Sequence, residues 1–229
     1  MRNIQFIKKK CLSILCILVL MVTILPAMNS VYAQSSSEKQ IKKLVGQMNG
    51  YEQYLVHSQT LTSNKKNVSL TKQNMATAAA LSLSTDTLVA YGKKGEFGGT
   101  VTWKLTNKKL QKTTQNLFGK KLKTSNLRKI TNTDDIIYAG DAYRDHKGIP
   151  VVYYTDGETE SDYVVTSISI SKIKGKANTY KAVKNIYCGY WGSNTGKPNY
   201  KFTYTVKKNS NSSYGYIISN IAVKQIPIN

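Results

Sequence analysis

The hydrophobic period of the chain changes partway along. From about residue 38, Ile41, Leu44, Val45, Met48 and Leu55 recur at three- and four-residue intervals, and Tyr51 and Tyr54 continue the stripe. That spacing lines one side of an α-helix and predicts a first helix over about 38–56. Ser37 followed by Gln40 has the form of a capping box at its start. Residues 57–70 are polar and loop-like. Thr71 is suited to cap a second helix through Met75, Ala76, Ala78 to Ala80, Leu81 and Leu83, reaching about Tyr91; its alanines favour helix and allow close packing. Gly92, Gly95, Gly98 and Gly99 interrupt the chain. Thr106 opens a third helix with Leu110, Leu117 and Phe118 on one face and Gly119 as its stop. Ser125 is placed to cap one further turn through Leu127 and Ile130.

Past about residue 134 short runs rich in Val, Ile, Tyr and Thr alternate with turn signals, as strands do. They lie at 135–143, 149–155, 162–173, 178–191, 199–208 and 214–226. In the fifth, Tyr200, Phe202, Tyr204 and Val206 point one way and Lys201, Thr203, Thr205 and Lys207 the other, so one face is buried and one wet. Asp156-Gly157, Gly192 to Gly196 and Asn209 to Ser213 supply turns. No crossover-length segment separates the strands, which predicts an antiparallel meander. The expected class is α+β: N-terminal helices (about 37–131) packed on one face of a curved antiparallel β-sheet of five to six strands (about 134–226).

This order of elements, over about 37–226, resembles the NTF2-like and cystatin-like folds, in which a long helix lies in the concavity of a bent sheet. The stretch Lys207-Lys208-Asn209-Ser210-Asn211-Ser212-Ser213-Tyr214-Gly215-Tyr216-Ile217-Ile218 is similar to the last hairpin of uncharacterised secreted proteins of Gram-positive bacteria. What the resemblance implies is a fold; function has to come from a site.

The N-terminus adds a compartment. Arg2, Lys8, Lys9 and Lys10 precede an apolar run from Leu12 to Leu25, Pro26 ends it, and Val31-Tyr32-Ala33 closes on a small residue. This is the profile of a secretory signal, 1–33, cleaved near Ala33, with 34–229 as a single mature domain. The apolar run is well short of the roughly 20 residues that span a bilayer. Cys11 and Cys16 leave with the signal, so Cys188 alone remains and neither a disulfide within the chain nor a cysteine metal cluster is expected. The end, Ile226-Pro227-Ile228-Asn229, carries no hydrophobic sorting tail. The expected location is extracellular or cell-wall associated.

Removal of the signal leaves 29 basic and 12 acidic residues, a net charge of +17. Lysine dominates, with Arg128 and Arg144 the only arginines left. Sequence-reading and phosphate-gripping nucleic-acid binders favour arginine forks; a lysine-rich exported protein points instead to anionic cell-wall polymer or membrane headgroups, and to no specific nucleic acid. The densest basic run is Lys120, Lys121, Lys123, Arg128 and Lys129, and Lys172, Lys174 and Lys176 form a second. Eight of the 12 acidic residues fall between Asp134 and Asp162. Asp156, Glu158, Glu160 and Asp162 alternate around a glycine turn, an oxygen-rich arrangement of the kind calcium uses but without EF-hand spacing; a solvated hairpin tip whose charges discourage aggregation is the preferred reading.

Catalytic constellations are sparse. A thiol nucleophile would need Cys188 beside His146 and Asp145, yet Cys188 falls on a predicted strand face as a small core residue and His146 in a hairpin turn. No nucleophile elbow, zinc-helix motif or phosphate loop is present, and no catalytic residue, metal or cofactor is assigned. Tyr180, Tyr187, Tyr190, Trp191, Tyr200 and Tyr204 are candidates to line a ligand pocket, with ordinary cross-strand pairing as the alternative. The expectation is a secreted, non-catalytic binding protein of the cell envelope. The alternatives are an enzyme with Asp141, Tyr143 or His146 in an NTF2-like cone, or a protein-interaction module.

Overall fold

A computed structural model of the chain describes residues 36–58, 66–92, 102–131, 141–153, 161–190 and 196–227. The expected signal, Asp156, Glu158, Glu160 and Trp191, and the side chain of Tyr190, lie outside the described residues. The chain divides into two units, Met1–Lys39 and Gln40–Asn229; apart from the first turn of α1, the description below is of the second.

The first helical stripe forms two helices. Helix α1 runs over 36–46 and α2 over Asn49–His57, with a turn at residues 47–48 closed by Gln47 and Met48 amides donating to Leu44 and Val45 carbonyls. The helix is already under way at residue 36, so Ser37 is not its cap. Ile41, Leu44, Val45, Met48, Tyr51 and Leu55 are all buried. Gly50 lets α2 cross the end of α3: a Cβ there would lie 2.8 Å from the Leu81 carbonyl oxygen, closer than packing permits.

Helix α3, Lys72–Leu81, begins where expected, with the Thr71 hydroxyl accepting from the Asn74 amide at 3.1 Å. It stops ten residues before Tyr91. A short 3-10 turn at Thr85–Thr87, capped by Ser84, and strand β2, Val89–Ala90, follow. Helix α4, Asn107–Phe118, has Thr106 as its cap and Gly119 in the left-handed conformation (φ 71°) as its stop, as its sequence suggests. The turn after it is a 3-10 helix over Thr124–Asn126, held by Asn107 Oδ1 accepting from the Thr124 amide and hydroxyl rather than by Ser125.

The fold is α+β, with two five-stranded sheets where one was expected. The first has the order β1-β10-β9-β8-β7: β1 Lys66–Val68, β7 Ser161–Lys172, β8 Thr179–Tyr190, β9 Tyr200–Lys208 and β10 Tyr216–Gln225. Strands β7 to β10 form the antiparallel meander, and β1 adds to its far side. One bulge falls at Thr166 of β7, between the Val165 and Ser167 pairings, and another in β10 between Ile218 and Asn220. The second sheet has the order β2-β3-β6-β5-β4, with β3 Thr102–Lys104, β4 Arg128–Lys129, β5 Ala142–Arg144 and β6 Pro150–Tyr153. Here β4 runs parallel to β5.

Inward residues of the meander (Ala182, Ile186, Phe202, Tyr204, Val206, Ile218, Ile221, Val223) form one apolar core with the buried faces of the helices and with Ala142 and Val152 of the second sheet. Helix α4 packs on β10 and α3 on β5, so the helical layer meets both sheets. Ile130, Tyr143 and Val151 make a separate small cluster.

Candidate functional site

Two charges sit inside that core. Asn49 and Glu52 are three residues apart, on one face of the first turn of α2. Lys184 lies mid-way along β8, in the inward phase shared with Ala182 and Ile186, and pairs in register with Ile168 and Phe202. Its Nζ is 2.7 Å from Glu52 Oε2, and both side chains are shut off from solvent. The Tyr163 hydroxyl of β7 donates to Glu52 Oε2 and the Tyr204 hydroxyl of β9 to Oε1. Lys184 Nζ also donates to Asn49 Oδ1 at 2.5 Å, and the Tyr163 hydroxyl stands 3.4 Å from that same oxygen. The Lys184 ammonium further lies 5.6 Å from the centre of the Tyr163 ring.

The electrostatics are those of a closed network. Burial, then the charge of Glu52, raises the Tyr163 and Tyr204 phenols far above their ordinary range, so both stay protonated and act as donors. Burial pushes Lys184 below its ordinary value against the pull of Glu52. Removing either charge would strand the other in a water-free interior, the situation that makes half of a buried pair so destabilising.

At one edge of this cluster Cys188 Sγ lies 3.8 Å from His57 Nε2. Asn199 clasps the backbone of Cys188, accepting from its amide at 2.9 Å and donating to its carbonyl at 2.7 Å. Burial, with a smaller push from Glu52, lifts the thiol to about 11, and burial lowers His57. Both shifts favour uncharged partners, the reverse of a thiolate–imidazolium pair. The histidine beside Cys188 is therefore His57 and not His146. His146 is exposed in the turn after β5, where Asp145 accepts from the Ile149 amide and the Tyr91 hydroxyl.

The remaining candidates are spread out. Tyr204 belongs to the buried network. Tyr180 meets Tyr216 edge-on at 5.6 Å. Tyr200 pairs with Ile186, six residues along β8 from Tyr180 and so roughly 20 Å away. Tyr187 is buried, in the phase of β8 opposite to Ile186 and Cys188. The structure does not bring these four rings together. Asp141 is buried, with Arg128 Nη2 and the Ala142 amide on its carboxylate; burial nevertheless raises its pKa. Tyr143 lies in the small cluster with Ile130 and Val151, apart from His146. Lys120, Lys121, Lys123 and Lys129 are exposed, as are Lys172, Lys174 and Lys176 at the β7–β8 turn. Asp162 is half-buried, and among the described residues no three acidic, histidine or cysteine side chains group as metal ligands.

The register exposes a charge pattern on the outer face of the meander. Lys201 of β9 stands directly opposite Lys224 of β10. Lys181 of β8 faces Thr205, and Lys207 faces Thr179, so these two lysines are diagonal neighbours. All four are exposed, and β8, β9 and β10 contain no acidic residue. Like charges placed opposite one another in a sheet destabilise it, so Lys201 and Lys224 repel across the register.

The fold and these sites define an α+β protein with a buried Glu52–Lys184 pair and a lysine-studded sheet face. Neither the models of known protein families, nor the curated proteins, nor the solved structures contain a match to this chain.

Proposed function

We propose that this is an exported, non-catalytic binding protein of the cell envelope, and that the outer face of its meander takes an anionic wall polymer. The opposed Lys201 and Lys224, in a sheet region without one carboxylate, carry the proposal. A phosphate-bearing polymer would relieve their repulsion as point charges met by point charges. The large apolar side chains exposed among the described residues are Val89 and Val164, neither on β8 to β10, so the face offers charge without an apolar wedge for a bilayer. The charge of the mature chain would draw it to the same surface from a distance.

Two further points fit a binding role. Helix α2 lying over β7, β8 and β9 supports the NTF2-like or cystatin-like reading of the architecture. On that reading Glu52, Lys184 and their tyrosines, bonded to one another between α2 and the meander, would occupy the place of a substrate.

The test is retention of the mature chain, beginning at Gln34, on an immobilised polyphosphodiester over a salt series. Binding that weakens steeply with salt, and several-fold again in a Lys201→Gln/Lys224→Gln double variant, is expected. Retention indifferent to both would refute the proposal, and binding to anionic lipid vesicles in preference to the polymer would reassign the surface to membranes.

A further inference from the structure

The network brings an amine, a carboxamide and a carboxyl group into direct contact. Lys184 Nζ is 2.5 Å from Asn49 Oδ1, one bond from the carboxamide carbon. Glu52 touches the same amine at 2.7 Å. The Tyr163 hydroxyl reaches both the carboxylate and the carboxamide oxygen. An ammonium has no lone pair and cannot attack a carbonyl, but in a site without water a carboxylate in contact with it can take its proton. We propose that Lys184 and Asn49 join in an intramolecular isopeptide bond, with Glu52 as the catalytic acid–base.

In the first step Glu52 accepts a proton from Lys184, leaving a neutral amine and a carboxylic acid. The amine lone pair attacks Asn49 Cγ, and with Glu52 now a carboxylic acid the Tyr163 O–H turns from Oε2 to the developing oxyanion on Asn49 Oδ1, 3.4 Å away. Glu52 then returns that proton to the departing nitrogen and, as the oxyanion collapses, takes the second proton from Nζ and passes it to the ammonia, which leaves as ammonium. One C–N bond forms between Cγ and Nζ and the original Cγ–Nδ2 bond breaks; no oxidant or cofactor enters the balance. Held in contact by folding, the two groups react as one molecule, so a chemically sluggish amide exchange is accelerated by proximity. Asn49 is exposed at the residue level while Lys184 is sealed, which gives ammonia a way out and keeps the amine dry.

The bond would tie α2 to the strand that lies between β7 and β9, across 135 residues of sequence. For an exported domain with a single cysteine it would supply the covalent closure that a disulfide supplies elsewhere, by restricting the unfolded chain.

Intact mass of the purified mature protein, followed by peptide mapping, tests this. The expected result is a mass one ammonia lower than the sequence requires and a single linked species containing both Asn49 and Lys184. Cyclisation of a terminal Gln34 also releases ammonia, so the linked peptide decides, and Asn49→Ala serves as reference: it keeps the Glu52–Lys184 pair and any change at Gln34 but should differ from wild type by one ammonia lost. Asn49→Asp should link with loss of water instead. Glu52→Gln should leave both peptides unlinked. Unlinked Asn49 and Lys184 peptides from folded wild-type protein overturn the proposal, and full linkage in Glu52→Gln overturns the role of Glu52.

Discussion

Replacing Tyr204 with Phe isolates the worth of one hydroxyl in the buried network. The ring is fully buried, stacks 6.5 Å from Phe202 and faces Ile221 across the sheet. Phe keeps those contacts and opens almost no cavity. What is lost is a single donor to Glu52 Oε1. A hydrogen bond to a charged group contributes about 1.5–3 kcal/mol, and water cannot enter to replace it. For a domain of this size each kcal/mol moves the melting midpoint by about 2–4 °C, so the expected drop is about 3–12 °C. Tyr180→Phe is the control, because its half-buried ring meets Tyr216 rather than a carboxylate. Urea unfolding should give equal m-values for the two variants and a difference in midpoint only. Repeating Tyr204→Phe in Glu52→Gln should reduce its cost by about 1 kcal/mol or more, since an amide is a weaker acceptor than a carboxylate. Intact mass ensures that compared proteins are in the same covalent state. If Tyr204→Phe costs no more than Tyr180→Phe, within about 0.5 kcal/mol, Glu52 is not held as described.

Two other outcomes follow from the edge of that network. Burial lowers His57 from its ordinary 6.5, so below that value the unfolded chain binds a proton the folded protein resists. Stability should therefore decline as pH falls from 6.5 toward the lowered folded pKa, and the melting midpoint between pH 7 and 5 should slope less in His57→Gln than in wild type. The Cys188 thiol, lifted to about 11, should be inert to a thiol reagent at pH 8 in the native protein and react at once in denaturant; rapid native labelling would contradict its burial.

The meander was legible because its strands are long enough to display a period of two. Phe202, Tyr204 and Val206 against Lys201, Thr203 and Thr205 define two faces without any structure. The caps at Thr71 and Thr106 and the stop at Gly119 were legible because each rests on local chemistry. Of the second sheet only β5 and β6 were legible, within or beside the runs at 135–143 and 149–155; β2 and β4 are two residues long and β3 is three, and they were not. No periodicity exists at that length, and each strand forms only because a distant partner completes it. The helix projected through Leu83 to Tyr91 gives way at Ser82 and Ser84 for the same reason: Val89 and Ala90 find a ladder with Trp103 and Lys104. Glu52 and Lys184 did leave a signal. Glu52 falls at the buried phase of a stripe between Met48 and Leu55, and Lys184 alternates with Ala182 and Ile186. A charge in the apolar phase of one element reads as an interruption, but two of opposite sign in two elements are a pair awaiting its register.

The outer boundary of the first sheet carries its own consequence. At one border β1 is three residues long; at the other β7 offers twelve, with polar Thr166, Ser167, Ser169 and Ser171 exposed. Long free borders template copies of the same chain. The bulge at Thr166, where its hydroxyl donates to the Asn185 carbonyl and Ser167 is tied to Asn185, breaks that border into two shorter, differently twisted pieces. Among the described residues, that border therefore offers no continuous twelve-residue rail along which copies of the chain would stack into a fibril.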